Sequence, residues 1–158
     1  MTDNYIQVND DDILVLKIKK NGEETGEELR FDLNDIEFPL RYQEMLYKIN
    51  KSKEKLKNDF VVIDRRPDIQ GKKLFSKNAE DKLKAFNDFT NKMVEAYNMF
   101  LGENGVQKLL CGKKVGWTTL SEIDDIIDKQ IAPLVLTSFE DIEKKIIDKY
   151  SFKDKEEL

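Results

Sequence analysis

One cysteine and three glycines crowd into Phe100–Val115, FLGENGVQKLLCGKKV, and residues of these types serve thiol chemistry and phosphate binding. Cys111 lies close to Lys113 and Lys114, and neighbouring cations favour the thiolate that a nucleophile needs. The chain contains no histidine, however. That removes the commonest general base, Ser-His and Cys-His activation, and most protein-built zinc and copper sites. Cys111 therefore reads as a small apolar residue closing a short helix. The Gly112-Lys113 pair fails as a phosphate loop, because Gln107 and Lys114 stand where a leading glycine and a trailing Ser or Thr are required. Gly102-Glu103-Asn104-Gly105 matches a bare GxxG with an acid inside it, and left-handed helix caps account for these glycines without RNA.

The remaining polar clusters are also incomplete. Asn9-Asp10-Asp11-Asp12 lacks the central glycine and distal glutamate of a calcium loop, and reads as a solvated lead-in to a strand. Asp124, Asp125 and Asp128 would need metal-binding partners from another element; as acids near a helix start they suit the helix dipole. Between Lys48 and Lys57 lie five lysines and one glutamate, without arginine to read bases or aromatics to stack on them, so a solvated helix face is the simpler reading. Arg65-Arg66 are two of only four arginines and stand beside Pro67; arginine is favoured at interfaces. Trp117, between Gly116 and Thr118, is either a lid on the core or an exposed anchor for a partner.

The elements that must position these residues are legible from periodicity. Ile13–Lys19 and Leu29–Leu33 alternate as the two strands of a β-hairpin over 13–33, and Glu23-Glu24-Thr25 between glycines predicts a connection longer than two residues. Asn34 or Asp35 can cap a helix in which Tyr42, Met45, Leu46, Ile49 and Leu56 recur, with Pro39 in its first turn. The pattern breaks at Arg65-Arg66-Pro67-Asp68, predicting a loop to Lys77. From Asn78, taken as a cap, Leu83, Phe86, Phe89, Met93, Val94, Tyr97 and Phe100 define the strongest amphipathic helix. A short helix over 104–111 places Val106, Leu109 and Leu110 on one side. From Ser121 the chain is helical to Tyr150. Pro133 is expected to kink or break it, and Ser121-Glu122-Ile123-Asp124 and Ser138-Phe139-Glu140-Asp141 read as capping boxes of two consecutive helices.

At 158 residues the chain suits one domain, placed at 1–152 with a helical body over 36–150 and a polar tail over 153–158. Charged residues make up 37% and apolar ones 39%, yet nine Phe and five Tyr supply core mass, so a folded, thin-cored α+β protein is expected: a hairpin packed on a bundle of four to five helices. The net charge of -5 opposes indiscriminate binding to nucleic acid or anionic lipid. No run approaches the ~18 apolar residues of a membrane span. With one cysteine and no basic-then-apolar leader, a cytosolic protein is expected, and the terminal KEEL is not read as an ER-retention tag.

Taken in order, the hairpin, the long charged helix, the aromatic helix ending YNMFLGENGVQKLLCGKKV and the Asp-rich helix with IAPLV resemble the tail assembly chaperones of long-tailed phages and prophages of low-GC Gram-positive bacteria. The matching positions are Phe100-Leu101-Gly102, Gly105, Val106 to Gly112 and Ile131-Ala132-Pro133, within a likeness spanning Ile13–Tyr150. The resemblance implies a non-catalytic cytoplasmic helper that keeps the long helical tape measure protein soluble, recruits tail tube subunits and is absent from the finished virion. It implies a minor frameshifted product in many members, and brings no catalytic residue, cofactor or metal. Partner-facing residues are instead chosen by type and position: Arg65, Arg66, Leu109, Leu110, Trp117, Tyr150 and Phe152. Self-association along the partner is expected. The rival readings are a small phage-encoded inhibitor of a host or defence protein, acting through Arg65, Arg66 and the acidic C-terminal helices, and a nucleic-acid accessory protein using the lysine face.

Overall fold

In the computed structural model, which describes residues 4–7 and 12–150, strands β1 (Ile13–Lys20) and β2 (Glu23–Asp32) pair antiparallel. Asn21 and Gly22 alone make the turn, with φ of 54° and 82°, the paired left-handed conformation of a two-residue type I′ connection. The longer loop expected from the sequence is absent because Gly26 has a different task. Between Lys17↔Glu28 and Lys19↔Glu24 the register slips, so that β2 carries two extra residues, and Gly26 takes φ 82° inside that bulge. Thr25 steadies it by donating its hydroxyl to the Ile18 carbonyl at 2.8 Å.

Four helical rods follow, giving the mostly helical α+β fold. Helix α1 (Glu37–Arg65) is 29 residues long. Its N-cap is Ile36, which offers no side-chain bond, and neither Asn34 nor Asp35 takes that position; Asp35, one residue earlier, supports the start with its side chain accepting from Glu37 N at 2.9 Å and its carbonyl from Phe38 N at 3.0 Å. Helix α2 (Lys77–Leu101) returns antiparallel, with Lys82 reaching Asp64 at one end and Phe100 meeting Tyr42 at the other. Its cap is Ser76, accepting from Ala79 N, and not Asn78. Asn78 is instead a helical residue that donates to Ile63 and Arg66 carbonyls at the end of α1.

The short α3 (Gly105–Leu110) is bounded by left-handed residues, Asn104 and Cys111, with Gly102 and Gly112 also at positive φ. Helix α4 (Trp117–Ile126) starts four residues earlier than expected. Its first turn is held by Thr119, whose hydroxyl accepts from Gly116 N at 2.7 Å. The helix does not end before Pro133. A π turn at Ile127–Ile131 joins α4 to α5 (Ala132–Tyr150), with Ala132 N–H reaching Ile127 O. A wider turn accommodates the carbonyls that an interior proline leaves without a donor. Both anticipated capping boxes are therefore mid-helix, and Ser138 is buried, donating to Leu33 O at 2.6 Å.

These elements enclose one hydrophobic core. Phe31 of β2 lies 5.2 Å from Phe38, tilted, and 5.7 Å from Phe100, stacked, ring centre to ring centre, so aromatic contacts hold the hairpin against α1 and α2. Tyr97, Ile123, Ile127 and Ile131 continue the core along the α4 and α5 rod.

Candidate helix-binding groove

Each of α1 and α5 carries more apolar surface than the core can cover. On α1, Phe38, Met45 and Ile49 face inward, while Pro39, Leu40 and Gln43, with Ile36 just before the helix, form a second stripe nearly half a turn away. On α5, Val135 and Ser138 face the core, while Phe139, Ile142, Glu143, Ile146 and Ile147 form the matching stripe. Two contacts tie α5 to the loop that leads into α1: Ser138 Oγ donates to Leu33 O at 2.6 Å, and Lys145 Nζ donates to Asn34 Oδ1 at 3.0 Å. The stripes consequently line an open groove of about 420 Å³. Its walls are well exposed, with Leu40 at 60%, Ile36 at 57% and Phe139 at 51% of full accessibility. Spacing of i, i+3, i+4 and i+7 on both walls is what receives the apolar face of a third helix.

The sequence places Phe139, Ile142 and Ile146 on one apolar series of the last helix without showing which side it faces, and it does not single out Ile36 or Leu40. The available signal was width. Ile36-Glu37-Phe38-Pro39-Leu40 holds too many apolar residues for one inward stripe.

The residues singled out earlier for a partner do not converge. Leu110 is buried and belongs to the core, and Leu109 packs against it. Arg66 is engaged internally, donating to Asn78 Oδ1 at 2.8 Å and pairing with Asp81. Arg65 is exposed in the last turn of α1. Trp117 is the first residue of α4, where no helix was expected, and is 65% exposed with its ring 6.2 Å from Phe86. Leu83, expected in the core, is exposed one helical turn from Phe86. Tyr150 is exposed and continues the stripe of Ile146 and Ile147. Phe152, the 153–158 tail and Asn9–Asp11 lie outside the described residues.

Cys111 is half-buried at φ 53°, its thiol donating to the Lys108 carbonyl at 3.4 Å, while Lys113 turns away to Glu122. Asp124 is not in a first turn; it accepts a hydrogen bond from the Tyr97 hydroxyl. Burial, with that bond next, pushes the Tyr97 phenol above its usual range, and burial with Asp128 and Asp124 does the same for Tyr42. Among the described residues no group of His, Cys, Asp and Glu could hold a metal, and no helix is long and apolar enough to cross a membrane. No known family model, curated protein or solved structure matches the chain.

Proposed function

We propose that the protein is a non-catalytic phage tail assembly chaperone that holds helical segments of the tape measure protein in solution and helps bring tail tube subunits to them. The observation that carries this reading is the open apolar groove between α1 and α5, with two helical stripes as its walls. A long amphipathic helix synthesised ahead of its assembly partners exposes an apolar face that would aggregate, and a charged body with such a groove covers it reversibly. The order of elements and the Phe100–Gly112 and Ile131–Pro133 stretches, which resemble those chaperones, support the same reading. The protein would then act in the bacterial cytoplasm, self-associate along the tape measure protein and be left behind by the finished particle. The inhibitor alternative is weakened because Arg66 is occupied by Asn78 and Asp81, and the nucleic-acid alternative because Lys48 and Lys55 of the lysine face pair with Glu44 and Asp59.

Co-expression tests it directly. Fragments of the tape measure protein from the same phage should gain soluble yield several-fold with the wild-type chain, and lose that gain with Leu40→Asp and Phe139→Asp together. Equal yields with and without the chain, at every fragment length, would sink the proposal.

A further inference from the structure

Helix α5 changes character at Ser138. Its first half is built into the core through Val135 and Ser138. Beyond Ser138, residues 139–150 make about three turns and include no buried side chain. Apart from the π turn that it continues, α5 packs chiefly on α1. In this stretch Ile142 and Ile147 are half-buried at the groove, whereas Phe139 and Ile146 are exposed. Lys145 reaches Asn34 through a hydrogen bond between exposed side chains. Glu140 and Lys144 are spaced i, i+4 with the acid first, and Lys149 stands in the last turn, so local sequence favours winding. It does not secure it, because a helix of fewer than about 12–15 residues is marginal in water unless an apolar face is buried. Here that face lies along an open trough.

We infer that residues 139–150 are an arm that winds and unwinds without unfolding the rest of the protein, and that the groove is complete only while the arm is wound. The first half of α5 stays in place, because Ile131, Val135 and Ser138 are buried. Unwinding removes the wall that carries Phe139, Ile142 and Ile146 and leaves the α1 stripe around Leu40 standing alone. A helix seated in the groove touches both walls, so it binds the wound state, its affinity is reduced by the wound fraction, and its binding orders the arm. This consequence rests on the helix-binding reading above; the winding itself does not. Because short helices wind in about a microsecond, the arm adds slope to the far-ultraviolet dichroism before the main unfolding transition and no second midpoint.

Hydrogen exchange of the full chain, resolved by residue and repeated at urea concentrations below the main transition, provides the test. Amides of residues 143–150, whose helical acceptors lie within the arm, should be protected by no more than about 100-fold, with little dependence on urea. The Ser138 and Tyr97 amides should be protected by about 10³-fold or more, with a steep dependence. Lys144→Pro, at an exposed position, should abolish the protection of the arm. It should leave the urea midpoint reported by Trp117 where it is in the wild type. Arm amides that exchange with the same protection and urea dependence as Tyr97, or a Trp117 midpoint lowered by Lys144→Pro, would place the arm inside the cooperative unit and overturn the inference, with helix docking untouched. Tape measure fragments should lose their gain in soluble yield with Lys144→Pro. A full gain retained by a variant whose arm is shown to be unwound would leave the arm as inferred and remove the groove from the proposed function.

Discussion

Gly105 and Gly102 are three residues apart and needed for opposite reasons. At Gly105 the backbone is ordinary, but an added β-carbon would overlap Leu101 Cβ at the junction of α2 and α3. At Gly102 there is open space, and φ of 101° is what excludes a side chain. Gly105→Ala should lower unfolding free energy by about 1–3 kcal/mol, against a helix preference worth only about 1 kcal/mol in the other direction. Urea titration of the two proteins measures it, and an unchanged midpoint would mean that the junction yields freely. Tyr97 poses a different residue-scale question. Its phenol is held neutral by burial and by Asp124, so its folded pKa is raised above the unfolded value of about 10. Stability from this group is complete below that value and falls as pH rises beyond it, because the unfolded chain then releases a proton that the folded one keeps. Tyr97→Phe should cost about 1–2 kcal/mol at neutral pH through the lost hydrogen bond. It should also flatten the decline in urea midpoint above about pH 10; parallel declines in both proteins would show that another group sets the slope.

At the scale of elements, the join between α1 and α2 is an electrostatic clasp. Asp68 accepts from Asn78 N at 3.0 Å and Ile69 N at 2.8 Å, and Asp81 pairs with Arg66 and Lys77. The Asn78 amide holds the Asp68 carboxyl below its usual range, with a Ser76 hydrogen bond next, and the Arg66 and Lys77 hydrogen bonds do so for Asp81. Depressed carboxylate pKa values give stability that is complete above about pH 4 and is lost as pH falls through the lower folded values. Protection of the Asn78 amide against hydrogen exchange, corrected for intrinsic rate, should therefore fall in that acid window, and Asp68→Asn should abolish the dependence. A pH-independent protection in the wild type would contradict it. Capping grammar in the sequence could not show this clasp, since Ser76 and Asn78 are equally good cap residues and only the return of the chain past Ile63 decides between them. Ser138 is the same lesson: its i+3 acid suggested a cap, and its actual acceptor, Leu33 O, lies 105 positions away. Strong local periods were readable, which is why α2 and both strands stood out, while Gly26 misled because a bulge and a turn ask for the same residue. Leu83 obeyed the period of α2 and still faces water, because no element was available to cover it. The groove was hidden for a related reason: a second apolar stripe becomes a wall only when two rods are set side by side.

For the whole molecule, the decisive issue is whether the hairpin is an appendage or part of the cooperative unit. A two-stranded ribbon is marginal by itself, and here Phe31 and Leu29 bring it into the same core as Phe38, Met45, Tyr97 and Phe100. The helical rods depend on it in turn, because Leu33 O and Asn34, just past β2, anchor Ser138 and Lys145 of α5. Phe31→Ala should remove about 3–5 kcal/mol, a large part of the 5–15 kcal/mol typical of a domain. The loss should reach Trp117, which sits on α4 outside the hairpin. In the wild type, its fluorescence and the far-ultraviolet dichroism should report one shared urea midpoint, and in Phe31→Ala both should move down together. Were the hairpin a separate unit, the dichroism would change shape while the tryptophan midpoint stayed in place. The groove would be affected as well, since the contacts that tie α5 to the loop leading into α1 are supplied just past β2. A Phe31→Ala protein assayed where it is still folded should therefore keep less tape measure fragment in solution than the wild type, although Phe31 is buried in the core and does not line the groove.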